Sequence, residues 1–192
     1  MSDFIDINFL DSFRADTSIV PEVIDRLISD LRFSHYPQDE IDEVILAMDE
    51  AITNAVQETI STLGTKYSNS QQNREITIRY TIGSAEFNAT VIDHGKGLDI
   101  DKMIKKTPDQ KSVAYHEQIF SYLETSTIDR LKIRINGKEV HLNGIGAGLK
   151  ILLSFMDTVT IDLIDKQRIV ADQVTEFTDG TILNMYRKRR FR

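Results

Sequence analysis

The chain has 192 residues, 41% hydrophobic and 28% charged, which suits one globular domain with a real core. It has no cysteine, which excludes disulfides, thiolate metal sites and cysteine nucleophiles and is compatible with a reducing cytoplasm. Net charge is −7, and because Arg187, Lys188, Arg189, Arg190 and Arg192 crowd the end, residues 1–186 carry −12, an acidic body unsuited to general nucleic-acid binding.

Phe4, Ile5, Ile7 and Phe9 alternate with polar residues and predict a short first strand. Thr17 or Ser18 can cap a helix with Pro21 in its first turns and Val20, Val23, Ile24, Leu27, Ile28 and Leu31 on one side. His35-Tyr36-Pro37 breaks it. A long helix then starts near Gln38 or Asp39, with Ile41, Val44, Ile45, Met48, Ile52, Ala55, Val56, Ile60 and Leu63 forming a buried stripe and Gly64 placed as a C-cap. Lys66 to Asn73 is a polar loop. Ile76, Ile78, Tyr80 and Ile82 alternate, Gly83-Ser84 turns, and Phe87, Ala89 and Val91 continue a hairpin that leads into Asp93.

From Leu98 to Asn143 the pattern loosens, with a helical turn expected at Lys102 to Lys106, a helix at His116 to Leu123 and a hairpin turn at Asn136-Gly137. A helix follows from about Gly146 to Met156. Val159 to Leu163, Ile169 to Phe177 and Thr181 to Tyr186 read as closing strands. The basic end reads as a solvated, partly frayed terminus, with contact to an acidic partner or phosphates as the alternative. The N-terminus lacks the basic-then-apolar pattern of a signal. The longest apolar stretch, Leu149 to Met156, is far short of the roughly 20 residues a membrane span needs. The expected fold class is α/β, an α+β two-layer sandwich in which a mixed, mostly antiparallel sheet carries helices on one face.

Three short signals carry chemistry. Glu50 and Asn54 are four apart, so they project from one side of the long helix, off its apolar stripe. A lone Glu-x-x-x-Asn is otherwise an ordinary solvated helix face. Asp93 ends a strand, and Gly95 and Gly97 follow it. A carboxylate there can accept from an exocyclic amine while the glycines leave room for a flat base, although the same residues also make tight turns. Gly144, Gly146 and Gly148 precede an apolar helix whose N-terminal N–H groups favour phosphate. Their spacing matches neither a dinucleotide fingerprint nor a P-loop. The four histidines, His35, His94, His116 and His141, lack metal-ligand spacing.

In this order the signals resemble the Bergerat-fold (GHKL) ATPase family of gyrase, heat-shock chaperone, histidine kinase and mismatch-repair ATPases. Glu50 to Asn54 is similar to its N box, Asp93 to Gly97 to its first glycine box and Gly144 to Leu149 to its second. Asp179-Gly180-Thr181 resembles its Gly-Thr segment. The resemblance runs from about Phe13 to Tyr186. With 49 residues before Glu50 and no transducer domain expected after the fold, the branch narrows: Ala47 to Val56, Phe13 to Asp16 and Phe155 to Asp157 are similar to the stand-alone anti-sigma factor serine/threonine kinases.

That resemblance implies a single histidine kinase-like ATPase domain over residues 1–192 with a lid at about 98–148. It implies ATP and Mg²⁺ as cofactors. Glu50 would be the general base toward a serine hydroxyl, and Asn54 the Mg²⁺ ligand, with Thr53 adding a phosphate or water contact. Asp93 would accept from the adenine amino group, Gly95 and Gly97 giving clearance and Thr181 supporting through water. Gly144, Gly146, Gly148 and Leu149 would wrap the phosphates. The implied partners are a sigma factor and an anti-sigma factor antagonist of the STAS type, with no direct nucleic-acid or membrane contact, in a cytoplasmic homodimer. The alternative is a nucleotide-dependent regulatory binding protein without kinase activity. The compact family members often carry a His four residues after the Asn, where this chain has Glu58, and the lid is longer than the family's.

Overall fold

A computed structural model of the chain describes residues 6–62, 75–96, 133–135, 138–140, 147–165, 170–171 and 178–190. Gly64, the 66–73 loop, the expected helices at 102–106 and 116–123, Asn136-Gly137, and Gly97, Gly144 and Gly146 lie outside the described residues.

The first strand, β1, runs Ile7–Arg14. It extends past the expected Phe9 because it is a sheet edge whose ladder with β2 (Glu75–Ile82) is made by backbone groups. Asp11 and Ser12 break the alternation on an exposed stretch without breaking that ladder.

Helix α1 spans Ile19–Phe33, with Val23, Leu27 and Leu31 buried. It ends by a left-handed residue: His35 has φ 53°. The His35 N–H donates to the Arg32 carbonyl at 3.0 Å and the Tyr36 N–H to the Leu31 carbonyl at 3.0 Å, the paired bonds of a Schellman cap.

Helix α2 spans Gln38–Thr62. Ile41, Val44, Met48, Ile52, Ala55 and Val56 are buried as the periodicity predicts, together with Ala47 and Ala51. Ile60, expected in the same stripe, is 39% exposed. Steps of four drift round the helix by about 40° each, so two such steps from Ile52 carry position 60 off the core side.

Strand β3 (Glu86–Asp93) pairs with β2, and the short hairpin β4 (Ile133–Ile135) to β5 (Lys138–Val140) pairs Ile135 with Lys138, as the turn chemistry predicts. Helix α3 covers Ala147–Phe155, β6 Thr158–Asp165, β7 Val170–Ala171 and β8 Thr178–Lys188. The sheet order is β1-β2-β3-β8-β6-β4-β5, with β7 also paired to β6. Among the described pairings only β4 with β6 is parallel.

This is the expected α+β two-layer sandwich. Ile76, Ile78, Tyr80, Phe87, Val91, Val159, Ile161 and Met185 line one sheet face beneath α1, α2 and α3. Tyr80 donates its hydroxyl to Asp30 of α1 at 2.6 Å, so α1 is tied to the same face. The opposite face carries short polar side chains: Thr90 and Asn184 bond at 2.9 Å, and Asn184 donates to Thr160 at 3.3 Å. No described helix is long and apolar enough to cross a membrane.

The basic end corrects the sequence expectation. Strand β8 continues to Lys188, and Arg187 is 2% exposed. Its Nη1 donates to the Phe155 carbonyl at the end of α3, and its Nη2 pairs with Glu43 of α2. Arg190 reaches the same Glu43 carboxylate at 3.4 Å, and Arg189 lies 4.5 Å over the Tyr36 ring. A guanidinium can be buried where its fork meets a carboxylate and a carbonyl together. A run of basic letters does not reveal that those acceptors await it.

Candidate functional site

Glu50 and Asn54 stand one turn apart on α2, and Asn54 Nδ2 donates to Glu50 Oε1 at 2.7 Å. That bond turns the amide oxygen of Asn54 away from the carboxylate. Glu50 is half-buried and Asn54 exposed, with Thr53 half-buried on the flank beside it. The first turn of α3 lies directly over this pair. A Cβ added at Gly148 would overlap Glu50 Oε1 and come within 3.3 Å of Asn54 Nδ2. Only glycine permits that approach. The helix end thus meets a carboxylate, in keeping with the positive end of its dipole. Leu149 follows in the same turn, and Lys150 is half-buried.

Asp93 closes β3 opposite Thr181 of β8. Both are buried, at 8% and 4% exposure. The Gly95 N–H donates to Asp93 Oδ1 at 2.8 Å, and Thr181 supplies further hydrogen bonds. Burial pushes the Asp93 carboxyl up to about 7, and the nearby Glu58 charge adds to the rise, against the opposing pull of the Gly95 and Thr181 hydrogen bonds. The backbone at Gly180 packs so closely on the Asp93 carbonyl that a Cβ there would overlap it.

Glu58 joins the two halves. It lies one turn beyond Asn54 and about 80° round the helix from Glu50, so Glu50 meets α3 while Glu58 meets the turn after Asp93. A Cβ at Gly95 would overlap Glu58 Cγ, and the Lys96 N–H reaches Glu58 Oε1 at 3.4 Å. From Glu50 to Glu58 is about 12 Å along the helix at 1.5 Å per residue. A buried acceptor suited to a base therefore sits at one end of an elongated site, and a carboxylate–amide pair beneath a helix N-terminus at the other.

The expected residues Glu50, Thr53, Asn54, Asp93, Gly95, Gly148 and Thr181 fall on these facing elements, whereas Gly97, Gly144 and Gly146 lie outside the described residues. In the sequence Glu58 stands only as a departure from the family pattern, and Gly180 only as part of the Gly-Thr segment, with no sign of its close approach to the Asp93 carbonyl. The four-residue step from Asn54 was the available signal for Glu58. Among the described residues no group of three His, Asp or Glu could hold a metal on its own.

Residues 13–171 match the family model described as histidine kinase-like ATPase domain. A chain in the crystal structure of the SiaB-SiaC complex from Pseudomonas aeruginosa is similar in fold, with a TM-score of 0.52 and 11% sequence identity over 94% of this chain and 89% of that chain. No curated protein matches the chain.

Proposed function

We propose, from the premise that this chain belongs to the histidine kinase-like ATPase family, that it is an ATP-binding serine/threonine protein kinase of the anti-sigma type. It holds a sigma factor and phosphorylates an anti-sigma factor antagonist of the STAS type, as a cytoplasmic homodimer. The observation that carries this reading is the Glu50–Asn54 pair beneath the first turn of α3. A protein that only bound nucleotide would not need a general base there. The two-protein complex among the structures of similar fold is in keeping with a partner-binding role.

In this reading Asp93 accepts from the adenine amino group, with Gly95 and Gly97 giving clearance and Thr181 assisting through water. Gly144, Gly146, Gly148 and Leu149 close round the phosphates as part of a lid at about 98–148. Thr53 adds a phosphate or water contact. Glu50 takes the proton of the incoming serine hydroxyl, the role of a carboxylate within hydrogen-bond reach. Asn54 offers its amide oxygen to Mg²⁺. One protein ligand supplemented by phosphate oxygens and waters suits that ion, which dehydrates reluctantly. Bound Mg²⁺ supplies charge neutralisation at the phosphates.

A second reading, nucleotide-dependent binding without transfer, is favoured by one contact. Glu50 Oε1 accepts from Asn54 and faces Gly148, an arrangement that would also serve a carboxylate whose only task is to seat α3. Labelled ATP offered with small STAS-type proteins from the same genome tests the choice. The kinase reading expects label on a partner serine and ATP binding lost in Asp93→Asn. ATP binding with no label on any partner favours the second reading.

A further inference from the structure

Two carboxylates, Asp93 and Glu58, hold successive N–H groups of one turn. The Gly95 N–H donates to Asp93 at 2.8 Å and the Lys96 N–H to Glu58 at 3.4 Å. The Gly95 backbone lies against the Glu58 stem, where a Cβ would overlap Cγ and come within 3.2 Å of Cβ. The turn after Asp93 is therefore shaped by a side chain from α2. We propose that Glu58 is a positioning residue of the nucleotide site, which clamps the turn after Asp93 and, through its charge, makes the hold of Asp93 on a base depend on pH. This rests on the reading of Asp93 as the acceptor for a purine amine.

The chemistry follows from where the charges lie. An ionised carboxylate accepts from an amine N–H more strongly than a protonated one. A like charge beside it disfavours ionisation. Among the described residues, the charged and titratable groups facing Asp93 are Glu58 from α2, Asp179 on the Thr181 side of β8, and His94 and Lys96 on its own turn. Of these the Glu58 charge raises it, and burial makes it sensitive to that charge. Nucleotide affinity should therefore weaken as pH falls through the neutral range. The dependence should move when the Glu58 charge is removed and the clamp kept. Glu58→Gln does this, because its amide oxygen can still accept from the Lys96 N–H.

The test is ATP affinity between pH 5 and 9 for wild type, Glu58→Gln and Asp93→Asn, alongside NMR titration of the Asp93 carboxyl carbon in the nucleotide-free proteins. The expected result is that Glu58→Gln moves both midpoints to lower pH together, by about half a unit or more, giving roughly threefold tighter binding below the wild-type midpoint relative to its high-pH gain. Superimposable wild-type and Glu58→Gln binding profiles, or a carboxyl titration that moves without the binding profile, overturn the inference alone. Wild-type ATP binding unaltered by Asp93→Asn overturns the pocket reading on which it rests.

Discussion

At the scale of single residues, Asp93 has a consequence that needs no ligand. Its carboxyl is raised to about 7 in the fold, against roughly 4 in an unfolded chain. The folded state therefore binds the proton more tightly. Its contribution to stability is fully present below pH ~4 and is lost as pH rises through about 7, with a slope of up to ~1.4 kcal/mol per pH unit between. Thermal unfolding of the nucleotide-free protein should show this decline, and Asp93→Asn should flatten it. Equal slopes in the two proteins would contradict the assignment. Gly148 offers a second residue-scale prediction. Gly148→Ala drives a methyl into the flexible end of Glu50, so the carboxylate moves aside at a stability cost under ~1 kcal/mol, while phosphate transfer falls at least ~10-fold. Loss of stability and of activity in proportion would instead mark a purely structural glycine. Glu50, Asn54, Asp93, Gly95 and Gly148 can be picked from the sequence by residue type and spacing, and the fold sets them on facing elements. Glu58 offers only its four-residue step from Asn54, because its meeting with Gly95 is made by tertiary packing.

Elements were legible where one side chain period dominates. The stripe from Ile41 to Val56 determined α2, and the clean alternation from Ile76 to Ile82 determined β2. The ends of β1 and β8 were not, since an edge ladder tolerates Asp11 and Ser12, and β8 ends in arginines whose acceptors come from α2 and α3. The end of α1 carries its own prediction. His35 holds φ 53°, a conformation that costs an ordinary residue about 1 kcal/mol or more and glycine little. His35→Gly should therefore raise the melting temperature by roughly 2–4 °C, corresponding to a gain of ~1 kcal/mol for a chain of this size. A lower melting temperature would show that the imidazole contributes more than the backbone relief.

At the scale of the whole molecule, one sheet edge-to-edge path brings the end of β3 beside the start of β8, and α2 carries both the Glu50–Asn54 pair and the Glu58 that meets the turn after Asp93. Arg187 fastens the far side of that frame, joining β8 to Glu43 of α2 and to the last turn of α3. Arg187→Met should cost about 2–3 kcal/mol in chemical denaturation, below the 3–5 of a fully buried pair because Glu43 keeps some water. A change within ~0.5 kcal/mol would reduce the buried guanidinium to a surface pair. The frame holds α3 over Glu50. The most direct measurement is transfer of labelled γ-phosphate to a STAS-type partner by wild type and Glu50→Ala, with ATP affinity measured on the same samples. Transfer should fall at least ~100-fold in Glu50→Ala, the scale of a general base, with ATP still bound. Transfer unchanged by Glu50→Ala would contradict the assignment of Glu50 as the base.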